Sequence, residues 1–286
     1  MTVKKGDKIG IVCCSNGQPQ TARQQIQILK ETLIELGLVP VFSKYIFDKG
    51  AGFSGSAKER AESLMEFYKD TEIKAIFDIS GGDIANEILP YLDFKVIGNS
   101  KKQFWGYSDL TTILNAIYAQ TGNTSVLYQI RNLIYDNGEK QQKDFTATIF
   151  EKNNSLFSFP YEFVQGETLQ GSVIGGNIRC FLKLAGTPYF PEVEGKVLLL
   201  EAWGGGVPQM TTYLSQLQQM GVFEKVSGIL LGAFTKMEEA GCVPDMVELV
   251  KRYAGELPVV KTGKIGHGTD AKGIIIGKEI FLVRQK

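Results

Sequence analysis

The sequence predicts an α/β protein, with an N-terminal, mainly parallel sheet between flanking helices and a smaller mixed α/β C-terminal domain. Three observations lead there. Short apolar runs alternate with amphipathic stretches through the first third of the chain, the rhythm of strands joined by crossover helices. Capping residues open several of those stretches and glycines close them. The same rhythm returns after a polar interval, from about residue 133 to 171, whose helix signal is weak. That interval suggests a domain over residues 1–135, a crossover over 136–170 and a second domain over 171–286.

The elements follow in order. KIGIVCC, from Lys8, reads as a buried strand. A helix over 21–37 comes next, with Thr21 and Gln24 at capping-box spacing, Ile26, Leu29, Leu33 and Leu36 near one face, and Gly37 as its stop. Residues 39–42 form a second strand. Ser56 and Glu59 are a second capping box, opening a helix to about Tyr68. Residues 74–79 form a third strand, 83–89 start a helix, and 96–98 and 104–106 are further strand candidates. Beyond the polar interval, 196–200 form a strand that ends at Glu201. A helix over 207–220 closes at Gly221, and a strand spans 227–234. A helix over 244–253 has Pro244 near its first turn, and short strands at 259–260, 273–276 and 279–283 complete the chain.

The chain has 286 residues, 43% hydrophobic and 22% charged, with 31 basic residues against 31 acidic ones. Such a balance offers no general argument for a nucleic-acid partner. No run approaches the roughly 18 apolar residues of a membrane span, and the N-terminus lacks a signal-peptide hydrophobic region. Cys13, Cys14, Cys180 and Cys242 make neither a paired zinc pattern nor a dense disulfide framework. The expectation is a cytoplasmic protein with buried thiols, no metal and no cofactor.

The strongest local feature is FWGYSDLTTILNAI, residues 104–117. An apolar strand leads through Gly106 and Tyr107 to Ser108, and Asp109 can cap the following helix. Such a turn can present Ser108 at a sheet edge, where helix N–H groups favour developing negative charge. The residues serve equally as a structural turn, since the second glycine of a GxSxG elbow is replaced by Leu110. His267 is the only histidine, set between Gly266 and Gly268. It is a general base, a core donor or a surface residue, and its being alone rules out a multi-histidine metal site within one chain. Glu201, at a strand's C-terminal end, either orients His267 or is a solvated strand end.

Gly81, Gly82 and Asp83 follow the third strand. They make a tight turn, or a backbone N–H of Gly82 or Asp83 joins that of Asp109 as an oxyanion hole. GGDIAN does not match the dinucleotide fingerprint GxGxxG. Gly175, Gly176 and Asn177 read as scaffold. Arg179 can meet a carboxylate or an ion-pair partner, and Trp203 is a substrate-facing plate or a packed aromatic.

Taken together, GGDIANEILPYLDF, FWGYSDLT, GSVIGGNIRCFLKLAGTPYFPEVEGKVLLLE and GHGTDAKGIIIG resemble the serine LD-carboxypeptidase family, including its microcin-immunity-like peptidases. The resemblance runs nearly the length of the chain. It implies an active site between two domains, with Ser108 as nucleophile, Glu201 as orienting carboxylate and His267 as base. It further implies an oxyanion hole at Gly82 and Asp109, and a homodimer. The implied reaction is metal-independent release of terminal D-alanine from a murein tetrapeptide, across an L-to-D amide bond. Detoxification of a peptide–nucleotide antibiotic conjugate and non-catalytic peptide binding are the alternatives. Gly81, Asp83, Arg179 and Trp203 are the substrate-binding candidates. The chain departs from the family's usual RGGYG block, having Ser80 in place of arginine. It also has AWGGGV after Glu201 where a more acidic block is usual. Both departures bear on substrate recognition.

Overall fold

Five apolar runs of the N-terminal part lie side by side. They are β1 (Lys8–Val12), β2 (Val39–Phe42), β3 (Ile73–Asp78), β4 (Gln103–Gly106) and β5 (Ser125–Leu127) of a computed structural model that describes residues 3–285. All run parallel, in the order β2-β1-β3-β4-β5. A second sheet is built from β6 (Glu162–Gln165), β7 (Thr168–Asn177), β8 (Val197–Ala202), β9 (Gly228–Phe234) and β10 (Val259–Lys261). In it β7 to β10 are parallel neighbours and β6 pairs antiparallel with β10. The chain then sends β11 (Ile274–Ile276) back to the first sheet, antiparallel to β5. It ends with β12 (Glu279–Val283), antiparallel to β7. The result is two α/β domains, each with a mixed six-stranded sheet flanked by helices.

The helix Thr111–Thr121 joins the domains. Every residue from Thr111 to Ile117 is buried, the mark of a helix that packs on all sides. Its Ile113, Leu114 and Ile117 share one hydrophobic cluster with Val173, Leu199 and Leu230 of the second sheet. Polar bonds fix the register of this contact. Asn115 Nδ2 donates to Gly175 O and Asn115 Oδ1 accepts from Gly175 N, each at 2.8 Å. Thr111 Oγ1 accepts from Asn177 N at 3.0 Å. Gly176, at φ +132°, lets β7 pass close over Thr111, whose Oγ1 would stand 2.7 Å from any Cβ placed there.

Several local expectations are corrected. The capping box at Thr21 does not form, because Gln20–Ala22 wind into a 3₁₀ turn and the α-helix is Arg23–Glu35. The box at Ser56 and Glu59 forms as expected. Residues 96–98 belong to the helix Phe94–Asn99, since the Asp93 carboxylate caps the N–H groups of Lys95 and Val96. Pro244 precedes its helix, Met246–Ala254, which Asp245 caps. The polar interval contains a 13-residue helix, Gly138–Phe150. Its apolar stripe is only Phe145 and Ile149 with the buried amide of Gln141, too thin to show as periodicity. The longest strand, β7, is not expected from the sequence, because Gly171, Gly175 and Gly176 interrupt its apolar pattern. Among the described residues no helix is long and apolar enough to cross a membrane.

Candidate active site

The site lies where β3, β4 and β8 end, at the carboxyl edges of both sheets. β4 stops at Gly106, Tyr107 is extended, and Ser108 takes φ +56° before the 3₁₀ turn Ser108–Leu110. A left-handed conformation in a non-glycine residue costs on the order of 1–3 kcal/mol, and such strain gathers at functional sites. It turns the hydroxyl out of the sheet edge, as a nucleophile elbow does.

Ser108 Oγ lies 3.0 Å from His267 Nε2. On the other side of the ring, His267 Nδ1 lies 2.8 Å from Glu201 Oε2. The Glu201 side chain is only 1% exposed and neither of its oxygens has an aligned hydrogen bond, so that contact is a close polar approach whose N–H is not aimed at the carboxylate. Alignments of this kind commonly tighten when substrate binds. The imidazole sits beside Tyr107 and Trp203, with ring centroids 4.7 and 5.7 Å away. Burial and the nearby Glu201 charge push the Tyr107 phenol up, so it stays neutral across the physiological range.

The polar interval supports the histidine loop. Asn132 Nδ2 donates to Gly268 O at 3.4 Å, and Asn137 Nδ2 to Thr269 Oγ1 at 2.8 Å. Gln141 Nε2 reaches Thr269 O at 3.1 Å and Ala271 O at 2.9 Å, while Tyr128 Oη donates to Gln141 Oε1 at 2.9 Å. Nothing in the sequence pattern flagged these amides, whose partners lie some 130 residues further along.

The glycine loop after β3 faces Ser108. Asp83 N–H donates to Asn16 Oδ1 at 2.9 Å, so of the two glycine-loop donors considered only that of Gly82 remains free among the described residues. Gly82 holds φ +117°, and a Cβ there would overlap the Asn16 side chain. Ser80, where the family's arginine would stand, is fully buried. Its Oγ donates to Asp78 at 2.5 Å and accepts from Ser15 N at 2.9 Å, so it serves the loop from beneath.

Asp109 does not cap the following helix. Its buried carboxylate accepts from Ser15 Oγ at 2.6 Å, Ala85 N at 2.8 Å and Lys183 Nζ at 2.5 Å. Lys183 also donates to Asp83 O at 2.8 Å. From the adjoining helix, Ile178–Leu182, Arg179 pairs with the Asp83 carboxylate and donates to Gly82 O at 3.1 Å. The guanidinium holds the Asp83 carboxyl below its ordinary range. Two cations of the second domain thus grip the loop of the first. Arg179 is occupied with Asp83, and Lys183 is a positioning residue that sequence reading missed. Asn177 caps the same helix through Cys180 N.

An open cleft of about 680 Å³ runs over these groups, within the range of small-molecule sites. Gly81, Gly82, Asp83, Ser108, Arg179, Trp203 and His267 all border it, with Arg131, Gln209 and Tyr213 added by the fold. Trp203 is 49% exposed there. Glu201 lies behind His267, and among the described residues no group of three or more His, Cys, Asp or Glu is placed to hold a metal. The arrangement supplies a hydroxyl, a base in contact with it, a buried carboxylate behind the base and backbone donors opposite. These are the parts of a nucleophilic acyl-transfer site.

Known proteins resemble this chain over most of its length. Residues 9–128 match the LD-carboxypeptidase N-terminal domain and residues 170–282 the LD-carboxypeptidase C-terminal domain. The chain is 28% identical over 288 residues to the probable murein peptide carboxypeptidase of Bacillus subtilis, covering 96% of this chain and 88% of that protein. It is 29% identical over 270 residues to the microcin C7 self-immunity protein MccF of Escherichia coli, covering 82% and 78%. The crystal structure of an MccF-like protein from Bacillus anthracis superposes with a TM-score of 0.88 at 25% identity, covering 100% of this chain and 96% of that one.

Proposed function

The chain belongs to the LD-carboxypeptidase family of peptidases, and from that premise we propose that it is a serine carboxypeptidase releasing terminal D-alanine from a murein tetrapeptide. The observation that carries the reading is the line Ser108 Oγ, His267 Nε2, His267 Nδ1, Glu201 Oε2, with contacts of 3.0 and 2.8 Å. His267 takes the Ser108 proton as Oγ attacks the scissile carbonyl. The oxyanion is received by the N–H groups of Gly82 and Asp109. Glu201 stabilises the imidazolium, which then protonates the departing amine. Water, activated by the same histidine, hydrolyses the acyl-enzyme. No step needs a metal.

A second reading is favoured by one feature. The half-exposed indole of Trp203 and the Tyr213 ring both border the cleft, surfaces on which a nucleobase could stack. An aminoacyl-nucleotide conjugate is therefore the competing substrate, in keeping with the likeness to MccF. The test offers purified protein a murein tetrapeptide, its all-L counterpart and an aminoacyl-nucleotide conjugate, with products identified by mass spectrometry. Selective release of D-alanine, abolished by Ser108→Ala in a protein of normal circular dichroism, supports the carboxypeptidase. Exclusive cleavage of the conjugate overturns it in favour of the second reading. Binding of peptide without any cleavage identifies a non-catalytic module.

A further inference from the structure

We infer that Arg131 is the receptor for the substrate's terminal carboxylate, and so the residue that makes the cleft select peptides with a free C-terminus. This rests on the peptidase reading above and deepens it.

Charge accounting in the cleft comes first. Two arginines border it, Arg131 and Arg179. Arg179 is committed to the Asp83 carboxylate and Gly82 O. Arg131 has no carboxylate partner among the described residues. Its side chain makes one hydrogen bond, from Nη1 to the neutral Gln18 Oε1 at 3.1 Å, and its Nε is buried without a partner. A guanidinium has five donors in a planar fork that matches a carboxylate. Leaving it half buried and uncompensated is costly unless a ligand supplies the anion. The loop after Glu201, Ala202–Gly206, carries no acid to neutralise it.

Position is the second argument. In the proposed chemistry His267 protonates the leaving amine, so the released residue lies on the histidine side of Ser108. Arg131 belongs to the 3₁₀ turn Ile130–Ile134. The next residue, Asn132, bonds Gly268 O beside His267. Arg179 lies instead at the glycine loop, on the oxyanion side. The backbone of Arg131 is itself fixed, with its N–H donating to Gln129 Oε1 at 3.2 Å. The backbone of Arg131 is therefore held beside the histidine loop, and its side chain borders the cleft.

The test measures binding apart from turnover. Calorimetry compares a D-alanine-terminated tetrapeptide with its C-terminal carboxamide, using Ser108→Ala protein with and without Arg131→Gln. Hydrogen bonds to a charged group predict an acid-over-amide preference on the order of 10- to 100-fold. Arg131→Gln should abolish that preference, and Arg131→Lys, which keeps the charge and loses the fork, should recover part of it. Arg179→Gln should leave the ratio intact. Thermal unfolding checks that each variant is folded. Equal binding of acid and amide by the Ser108→Ala protein overturns the assignment. So does a preference that survives Arg131→Gln, or failure of the acid to bind at all. If wild-type protein releases no D-alanine while Arg131-dependent selection of the acid persists, the carboxypeptidase reading fails and the assignment of Arg131 stands.

Discussion

Replacing Lys183 by methionine should damage both stability and rate, although Lys183 is not part of the proposed chemistry. Among the described residues its ammonium is the only cation on the Asp109 carboxylate, at 2.5 Å, and it also holds Asp83 O at 2.8 Å. The Asp109 side chain is fully buried and that of Lys183 is 18% exposed, so solvent screens the pair weakly. Removing one partner of a buried ion pair costs about 3–5 kcal/mol, because the other charge is left in a poor solvent. Asp109 would keep its bonds from Ser15 Oγ and Ala85 N, which places the expectation at the low end, about 3 kcal/mol. For a chain of this size that lowers Tm by roughly 6 °C. The glycine loop would also lose one of its two ties to the second domain. A displacement of the Gly82 donor by about 1 Å would slow hydrolysis by up to about 100-fold. Thermal unfolding by circular dichroism and tetrapeptide turnover measure the two effects. Adding Asp109→Asn to Lys183→Met should restore part of the lost Tm, since no lone charge then remains. A single variant with wild-type Tm and turnover would refute the reasoning. So would a double variant whose loss equals the sum of the two single losses.

Other substitutions probe the remaining parts of the site. Glu201→Gln should preserve packing and Tm while lowering kcat by about 10²- to 10⁴-fold, because the imidazolium loses the buried carboxylate beside it; undiminished turnover would remove Glu201 from the triad. Gly82→Ala forces a side chain into φ +117° and against Asn16. It should cost about 1–3 kcal/mol in stability and about 10²-fold or more in kcat as the oxyanion donor shifts, read by unfolding and steady-state kinetics. Dialysis against a chelator should leave turnover unchanged, whereas loss of activity restored by one added metal would contradict a chemistry run by Ser108, His267 and Glu201 alone.

Local patterns carried much of the architecture. The apolar runs that became β1, β3, β4 and β8 to β10 are legible because a strand buried on both faces must be apolar along its length. The capping box of Ser56 and Glu59 is legible because its bonds span three residues. Ser108, Glu201 and His267 stood out for a similar reason, each lying at a strand end or in a glycine-flanked loop. Where local rules competed, reading failed. Asp93 turned an apolar run into a helix by capping it, and three glycines disguised β7. In the helix Gly138–Phe150, the buried face is only Phe145 and Ile149 beside Gln141, whose amide bonds the histidine loop.

By itself, then, the sequence determined the α/β class, the family and the residue types of the proposed serine–histidine–carboxylate site. Those properties rest on short-range periodicity and on motifs within a few residues of one another. Tertiary structure decided which donors and cations are free. Asp109 reads as a helix cap, yet its carboxylate is buried under Lys183, 74 residues away. Arg179 reads equally as a substrate anchor or an ion-pair partner, and the fold pairs it with Asp83. Arg131, unremarkable in its own segment, borders the cleft without an acidic partner among the described residues. Hydrogen-bond and charge satisfaction is a property of what packs together, and packing here joins loops from both domains. Sequence can place a charged side chain near a site, but only the fold shows whether its charge is already matched.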